Sequence, residues 1–99
     1  MLRVGQLELD LIERTARRGA RRIELWPREF RLLECMTRRG DQMLTRAMLL
    51  KDVWNYKFVP KTNLVDVQMG RLRHKVDVPG QASMIHNVLG KGFILRATP

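Results

Sequence analysis

Between residues 63 and 75 the chain collects side chains suited to reading a polyanion: Asn63, Val67, Gly70, Arg71, Arg73, His74 and Lys75. At the roughly 100 degrees per residue of a helix, Asn63, Val67, Gly70, Arg71 and His74 share one face, with Arg73 and Lys75 on its flanks. Val65, Met69, Leu72 and Val76 form the opposite, apolar stripe, which suits burial. An α-helix fits the major groove of B-DNA, where arginine pairs bidentately with guanine, asparagine pairs with adenine, and a small apolar side chain touches the thymine methyl. The face is poor in acid apart from Asp66. Charge on a helix more commonly only solvates a surface. Gly70 in a helix interior costs about 1 kcal/mol relative to alanine, a cost that close approach of a phosphate or another backbone would explain.

Bond-making chemistry finds no comparable grouping. Neither His74 nor His86 has a serine, cysteine or carboxylate at the spacing of a catalytic pair, so both read as exposed polar residues. Cys35 reads as a small buried apolar group. Gly90, Lys91 and Gly92 lack the Lys-Ser/Thr continuation and the following helix of a phosphate loop. The six methionines are scattered along the chain, as gap fillers are. The expectation is a protein that is not an enzyme and takes no metal and no cofactor.

Composition agrees with a polyanionic partner. Nineteen Lys and Arg against ten Asp and Glu leave +9 on 99 residues, with a pI near 11.1, which favours nucleic acid. The length suits one domain, and 44% apolar with 29% charged residues is a globular composition. A single cysteine excludes an intrachain disulfide and needs no oxidising compartment. No apolar run reaches the roughly 18 to 20 residues of a membrane span. A cytoplasmic protein with no membrane partner is expected.

The elements that would hold the basic helix follow from a change of hydrophobic period. Leu7, Leu9 and Leu11 alternate with Glu8 and Asp10, which predicts short antiparallel strands over Leu2–Val4, Leu7–Ile12, Thr15–Arg17 and Arg21–Leu25. Arg17, Arg18, Arg21 and Arg22 are expected to ring one exposed turn. From Pro27 the spacing becomes helical through Phe30, Leu33 and Met36, giving a first helix over 27–39 that Gly40 stops. Glu29 stands at the capping-box position, yet Trp26 at the cap has no acceptor. Thr45 caps a second helix ending near Trp54, with Leu44 and Leu49 as a hydrophobic staple. Thr62 is expected to cap a third helix ending near Val76, closed by Pro79 and Gly80. Residues 84–88 and 93–97, around Gly90, Lys91 and Gly92, predict a hairpin.

Thr62, Asn63, Leu64, Val65, Asp66 and Val67, followed by Arg71, Leu72, Arg73 and Lys75, resemble the recognition helix of OmpR/PhoB-type response regulators. Pro27 to Phe30 with Leu32 and Leu33, then Leu44 and Thr45 with Leu49 to Trp54, then Val88, Gly90, Gly92 and Phe93 resemble three further segments of that family, in its order. The resemblance covers nearly the whole chain. It implies an α+β winged helix-turn-helix: an N-terminal four-stranded antiparallel sheet, three helices and a C-terminal β-hairpin wing. The implied function is sequence-specific double-stranded DNA binding for transcription regulation, as the output domain of a bacterial two-component system. The receiver domain of such a regulator would need roughly another 120 residues, so the chain is expected to be an isolated effector domain or an excised piece, 1–99, with a receiver and a sensor kinase implied upstream.

The resemblance also distributes roles. Asn63, Val67, Gly70 and Arg71 fall at base-contact positions, with Arg71 the base-reading arginine. Trp54, Gln68, Arg73 and Lys75 fall at phosphate positions, and Asn87 and Lys91 on the wing. The loop 55–60 falls where the family meets RNA polymerase. The domain is expected to be a monomer alone and to pair head to tail on direct repeats. Three positions depart from the pattern: Leu89 replaces the wing arginine, leaving Lys91 to substitute; Gly70 replaces a basic residue; Trp26 replaces a capping threonine, at about 1 kcal/mol unless its ring packs. The competing reading is a winged helix that binds protein, which would lack the steep salt dependence of phosphate contacts.

Overall fold

Four short strands, β1 (Leu2–Val4), β2 (Leu7–Asp10), β3 (Thr15–Arg18) and β4 (Arg21–Ile23), pair antiparallel in chain order in the computed structural model, which describes residues 1–58 and 60–97. Register sorts their side chains by face. Leu2, Leu9, Ala16 and Ile23 form one cross-strand row, and Arg3, Glu8, Arg17 and Arg22 the next. Alternation along each strand sends successive rows to opposite sides, so Leu9, Ala16 and Ile23 are buried while Arg3, Arg17 and Arg22 stay in water. Strand β2 ends at Asp10 and not at Ile12, because the Asp10 carboxylate accepts the backbone N–H groups of Ile12 and Glu13, both at 3.0 Å, and turns the chain. Strand β3 gains Arg18, and β4 ends at Ile23, short of Leu25.

Helix α1 (Pro27–Arg38) begins with proline at its first position. Glu29 accepts the Trp26 N–H at 2.7 Å, but Trp26 is 72% exposed, so packing of its side chain does not replace the missing cap acceptor. Helix α2 (Arg46–Trp54) has the predicted cap, the Thr45 hydroxyl accepting the Met48 N–H at 3.2 Å. Leu44 and Leu49, the predicted staple, are both buried. The helix closes with Asn55 in the left-handed region and the Tyr56 N–H donating back to the Leu50 carbonyl at 3.0 Å.

Helix α3 (Leu64–Val76) corrects the expected cap. Its first turn closes from the Val67 N–H to the Asn63 carbonyl at 2.9 Å, which makes Asn63, not Thr62, the cap residue. No side-chain cap bond forms there. The helix stops at Val76 with Asp77 as its cap, before Pro79 and Gly80 are reached.

Strands β5 (Ile85–Val88) and β6 (Gly92–Leu95) make the hairpin, slightly shorter than the predicted runs. Gly90 has φ 71° in the turn, a region that favours glycine. Leu44 extends this small sheet by exchanging backbone hydrogen bonds with Phe93 at 2.8 and 2.9 Å. A side chain at Gly92 would strike the Leu44 carbonyl, so only glycine lets the hairpin lie against that segment. One core joins all layers, from Leu7, Leu9, Ala16 and Ile23 of the sheet through Phe30, Leu33 and Leu49 to Met84, Ile85 and Phe93.

Candidate nucleic-acid interface

The apolar stripe of α3 is fully committed to that core: Val65, Met69, Leu72 and Val76 are all buried. Its other side is open. Asn63, Arg71 and His74 are exposed, Val67 is 40% exposed, and Gln68, Gly70 and Arg73 are half-buried beside them. A Cβ at Gly70 would meet no atom of the described residues within 4 Å. Packing among the described residues therefore does not require a glycine at that position.

Asp66, the acidic residue of the helix's first turn, is answered by Arg46 of α2. The guanidinium holds it through Nη2 at 2.6 Å and Nε at 3.1 Å. Hydrogen bonding from Arg46 keeps the Asp66 carboxyl below its ordinary value, outweighing partial burial. The pair ties the two helices of the helix-turn-helix together and leaves the face of α3 without uncompensated negative charge.

The opposite end of α3 overturns the expected ring of exposed arginines. Arg17 and Arg22 do face water, but Arg18 is 3% exposed and Arg21 is half-buried. Arg18 Nη1 donates to the Val76 carbonyl at 2.9 Å and to Asp77 at 2.8 Å, and its Nη2 donates to the Ala82 carbonyl. Arg21 donates to the Lys75 and Val76 carbonyls, both at 2.8 Å. The cause is the pleat: residues two apart share a face, so Ala16 pointing inward takes Arg18 with it, and Ile23 takes Arg21. There the two side chains, Arg18 buried and Arg21 half-buried, satisfy carbonyls that the last turn of a helix leaves unpaired and that carry its partial negative charge.

Lys75, placed by the resemblance among the phosphate contacts, has its ammonium 2.6 Å from the buried Glu29 carboxylate. That carboxylate also takes the Trp26 N–H, so Lys75 joins α3 to the start of α1. Trp54 is half-buried against the core, with the Arg28 guanidinium 5.4 Å from its ring centre. On the hairpin, Asn87 and Lys91 are exposed and Leu89 at the tip is 91% exposed. In the loop 55–60, of which Val59 lies outside the described residues, the Tyr56 and Phe58 rings stack at 5.8 Å with both faces partly in water.

Two smaller expectations are adjusted. Cys35 is half-buried, not buried, and burial pushes its thiol up, aided by Asp52 and opposed by Arg39. His74 is exposed, but His86 is half-buried in β5. Among the described residues no three His, Cys, Asp or Glu side chains are grouped to hold a metal ion, and no helix is long and apolar enough to cross a membrane. Arg18, Arg21, Arg46, Glu29 and Asp77 were not singled out as partners of α3 by sequence reasoning. The two-residue alternation around Ala16 and Ile23 carried the signal for the first two; the long-range pairs carried none.

A three-helix core, a basic helix open on one side and a paired hairpin beside it define a winged helix-turn-helix. Residues 20–95 match the family described as "Transcriptional regulatory protein, C terminal". The chain belongs to that family, the OmpR/PhoB-type effector domains of transcription regulators, which are not enzymes. It is 40% identical over 98 residues to the response regulator MprA of Mycobacterium tuberculosis H37Rv, covering 99% of this chain and 43% of that protein. Identity to MprA of Mycobacterium ulcerans is 42% over 95 residues, 96% of this chain and 41% of the relative. The chain thus spans less than half the length of these relatives. Among solved structures, the Klebsiella pneumoniae RstA DNA-binding domain in complex with the RstA box superposes with a TM-score of 0.85 at 26% identity, over 96% of this chain and 95% of that one.

Proposed function

We propose that this domain binds double-stranded DNA sequence-specifically, with α3 in the major groove and the β5–β6 hairpin on the neighbouring backbone or minor groove. The observation that carries the reading is the open face of α3: Asn63, Val67 and Arg71 are exposed and Gly70 beside them has clear space above it among the described residues, while the opposite stripe is buried. The likeness to a domain solved on its DNA box supports it. Arg71 and Asn63 supply base-edge hydrogen bonds, Val67 an apolar base contact, and Gly70 the clearance for backbone or phosphate to come close. Arg73, Gln68 and Trp54 take phosphates, which fix register and most of the salt-sensitive affinity. Lys75 contributes chiefly by holding α3 on α1, since its ammonium is already paired. Asn87 and Lys91 serve the wing.

The same reading makes the chain the output domain of a bacterial cytoplasmic two-component regulator, controlled by a receiver and a sensor kinase. The domain is a monomer by itself and pairs head to tail on direct repeats. The stacked Tyr56 and Phe58 rings favour a protein contact for the loop 55–60, assigned here to RNA polymerase. Selection of bound fragments from random duplexes, followed by titration of the winner at several salt concentrations, tests the DNA reading. The expected outcome is an enriched motif and a log-log salt slope of about −0.9 per phosphate contact. Affinity that ignores duplex sequence and salt would point to a protein partner instead.

A further inference from the structure

Asp77 lies where three segments meet. Its Oδ1 accepts from Arg18 Nη1 at 2.8 Å and from the Met84 N–H at 2.9 Å, and its Oδ2 accepts the Ile85 N–H at 3.0 Å. One carboxylate, 8% exposed, therefore joins the end of α3, the first residues of the hairpin and a guanidinium from the N-terminal sheet. Arg18 adds a second link between the same parts through the Val76 and Ala82 carbonyls. Both groups are buried too deeply to reach a duplex. The covalent path from α3 to β5 has neither helix nor strand from Val78 to Met84, so it does not by itself fix how the hairpin stands relative to the helix.

We infer that Arg18 and Asp77 are positioning residues for DNA recognition: they set the angle between α3 and the hairpin, so that helix and wing engage one duplex in register. The inference rests on the DNA reading above. Only a planar fork suits the role, because a guanidinium can face a carboxylate and two carbonyls at once in fixed directions, whereas an ammonium is a point charge on a flexible stem. Arg21 completes the joint. Its guanidinium donates to the Lys75 and Val76 carbonyls, at the negative end of the α3 dipole, and to Gln81 Oε1 at 2.9 Å.

The test is Arg18→Lys, which keeps the charge and loses the fork. Binding to the selected duplex and to an unrelated duplex is measured beside thermal unfolding and hydrogen exchange at the Met84 and Ile85 amides. A joint predicts faster exchange at both amides and a selected-to-unrelated affinity ratio lowered about tenfold, the size of one well-placed base contact. Affinity for the unrelated duplex and its salt slope stay at the wild-type values. A merely structural arginine would lower both affinities together with the folded fraction and leave the ratio alone; that result, or a folded variant with unchanged ratio and exchange, overturns the proposal. Should Arg18→Lys fail to fold, Arg21→Lys, half-buried and sharing the Val76 carbonyl with Arg18, decides by the same ratio at smaller amplitude. Wild-type protein that prefers no duplex would sink the DNA reading instead, and exchange at Met84 and Ile85 in the free variant then decides the joint alone.

Discussion

Arginines crowd two parts of this molecule, the β3–β4 turn and the outer side of α3. Arg18, in the first, is 3% exposed and fixed on two carbonyls and a carboxylate. Arg71, in the second, stands in solvent. A count of positive charge treats them alike, yet one commits its donors to the fold and the other holds them in solvent, where the proposed DNA contact would use them. The difference originates in local geometry. In a strand every second residue faces the core, charged or not, when its neighbours at that spacing are Leu9-like apolar groups. On α3 the apolar stripe alone satisfies the core and leaves the rest of the circumference outside.

The contrast is broken most directly by stability. Arg18→Met leaves Asp77 buried without its ion partner and is expected to lower the unfolding free energy by about 3–5 kcal/mol, whereas Arg71→Ala should change it by no more than about 0.5 kcal/mol. Urea denaturation of both variants checks this; similar small losses would abolish the distinction. Binding should reverse the order. Arg71→Ala is expected to cost about 1–3 kcal/mol on the best duplex and to relax preference at one base pair, and uniform weakening on every sequence would move Arg71 to the phosphate group. Arg73→Ala should weaken all duplexes alike and flatten the salt slope by about one unit, as titrations at several salt concentrations would register.

Smaller effects sharpen the same division. Gly70→Ala should raise stability by about 0.5–1 kcal/mol, since helix propensity improves and the new methyl meets no neighbour. The same variant should bind its duplex less tightly, and thermal unfolding run beside titration separates the two outcomes; undiminished binding would remove close approach at Gly70. The Arg46–Asp66 pair gives the least. Because Asp66 titrates below its ordinary 3.8 in the folded protein, its contribution is complete above that pH and drains away as the pH falls through the lowered value. Both side chains are substantially exposed, so the loss relative to Asp66→Asn is roughly a few tenths of a kcal/mol, visible in denaturation curves between about pH 5 and pH 2.

Sequence periodicity carried the order of elements, the buried stripe of α3 and the side that it turns outward, because those follow from residues three and four apart. Thr45 was legible as a cap for the same reason. The cap of α3 was not: Thr62 and Asn63 are both plausible by type, and the backbone bond to Val67 decides between them. The fate of Arg18 and Arg21 was written in the alternation with Ala16 and Ile23, but an arginine pair flanking Gly19 also has the composition of a wet turn. Asp77 to Arg18 and Lys75 to Glu29 join residues distant in the chain, and no local pattern announces such pairs. Lys75 shows the consequence, a side chain matched to a contact position whose charge is already engaged.

The backbone exchange between Leu44 and Phe93 has a bearing on how such domains diversify. It anchors the root of the hairpin in the segment ahead of α2, while Leu89 and Lys91 project beyond the last paired rung. Replacements at that outer end leave the Leu44–Phe93 pairing in place, so under the DNA reading proposed above the tip can be altered to retune contact with a duplex while the scaffold beneath it stays the same.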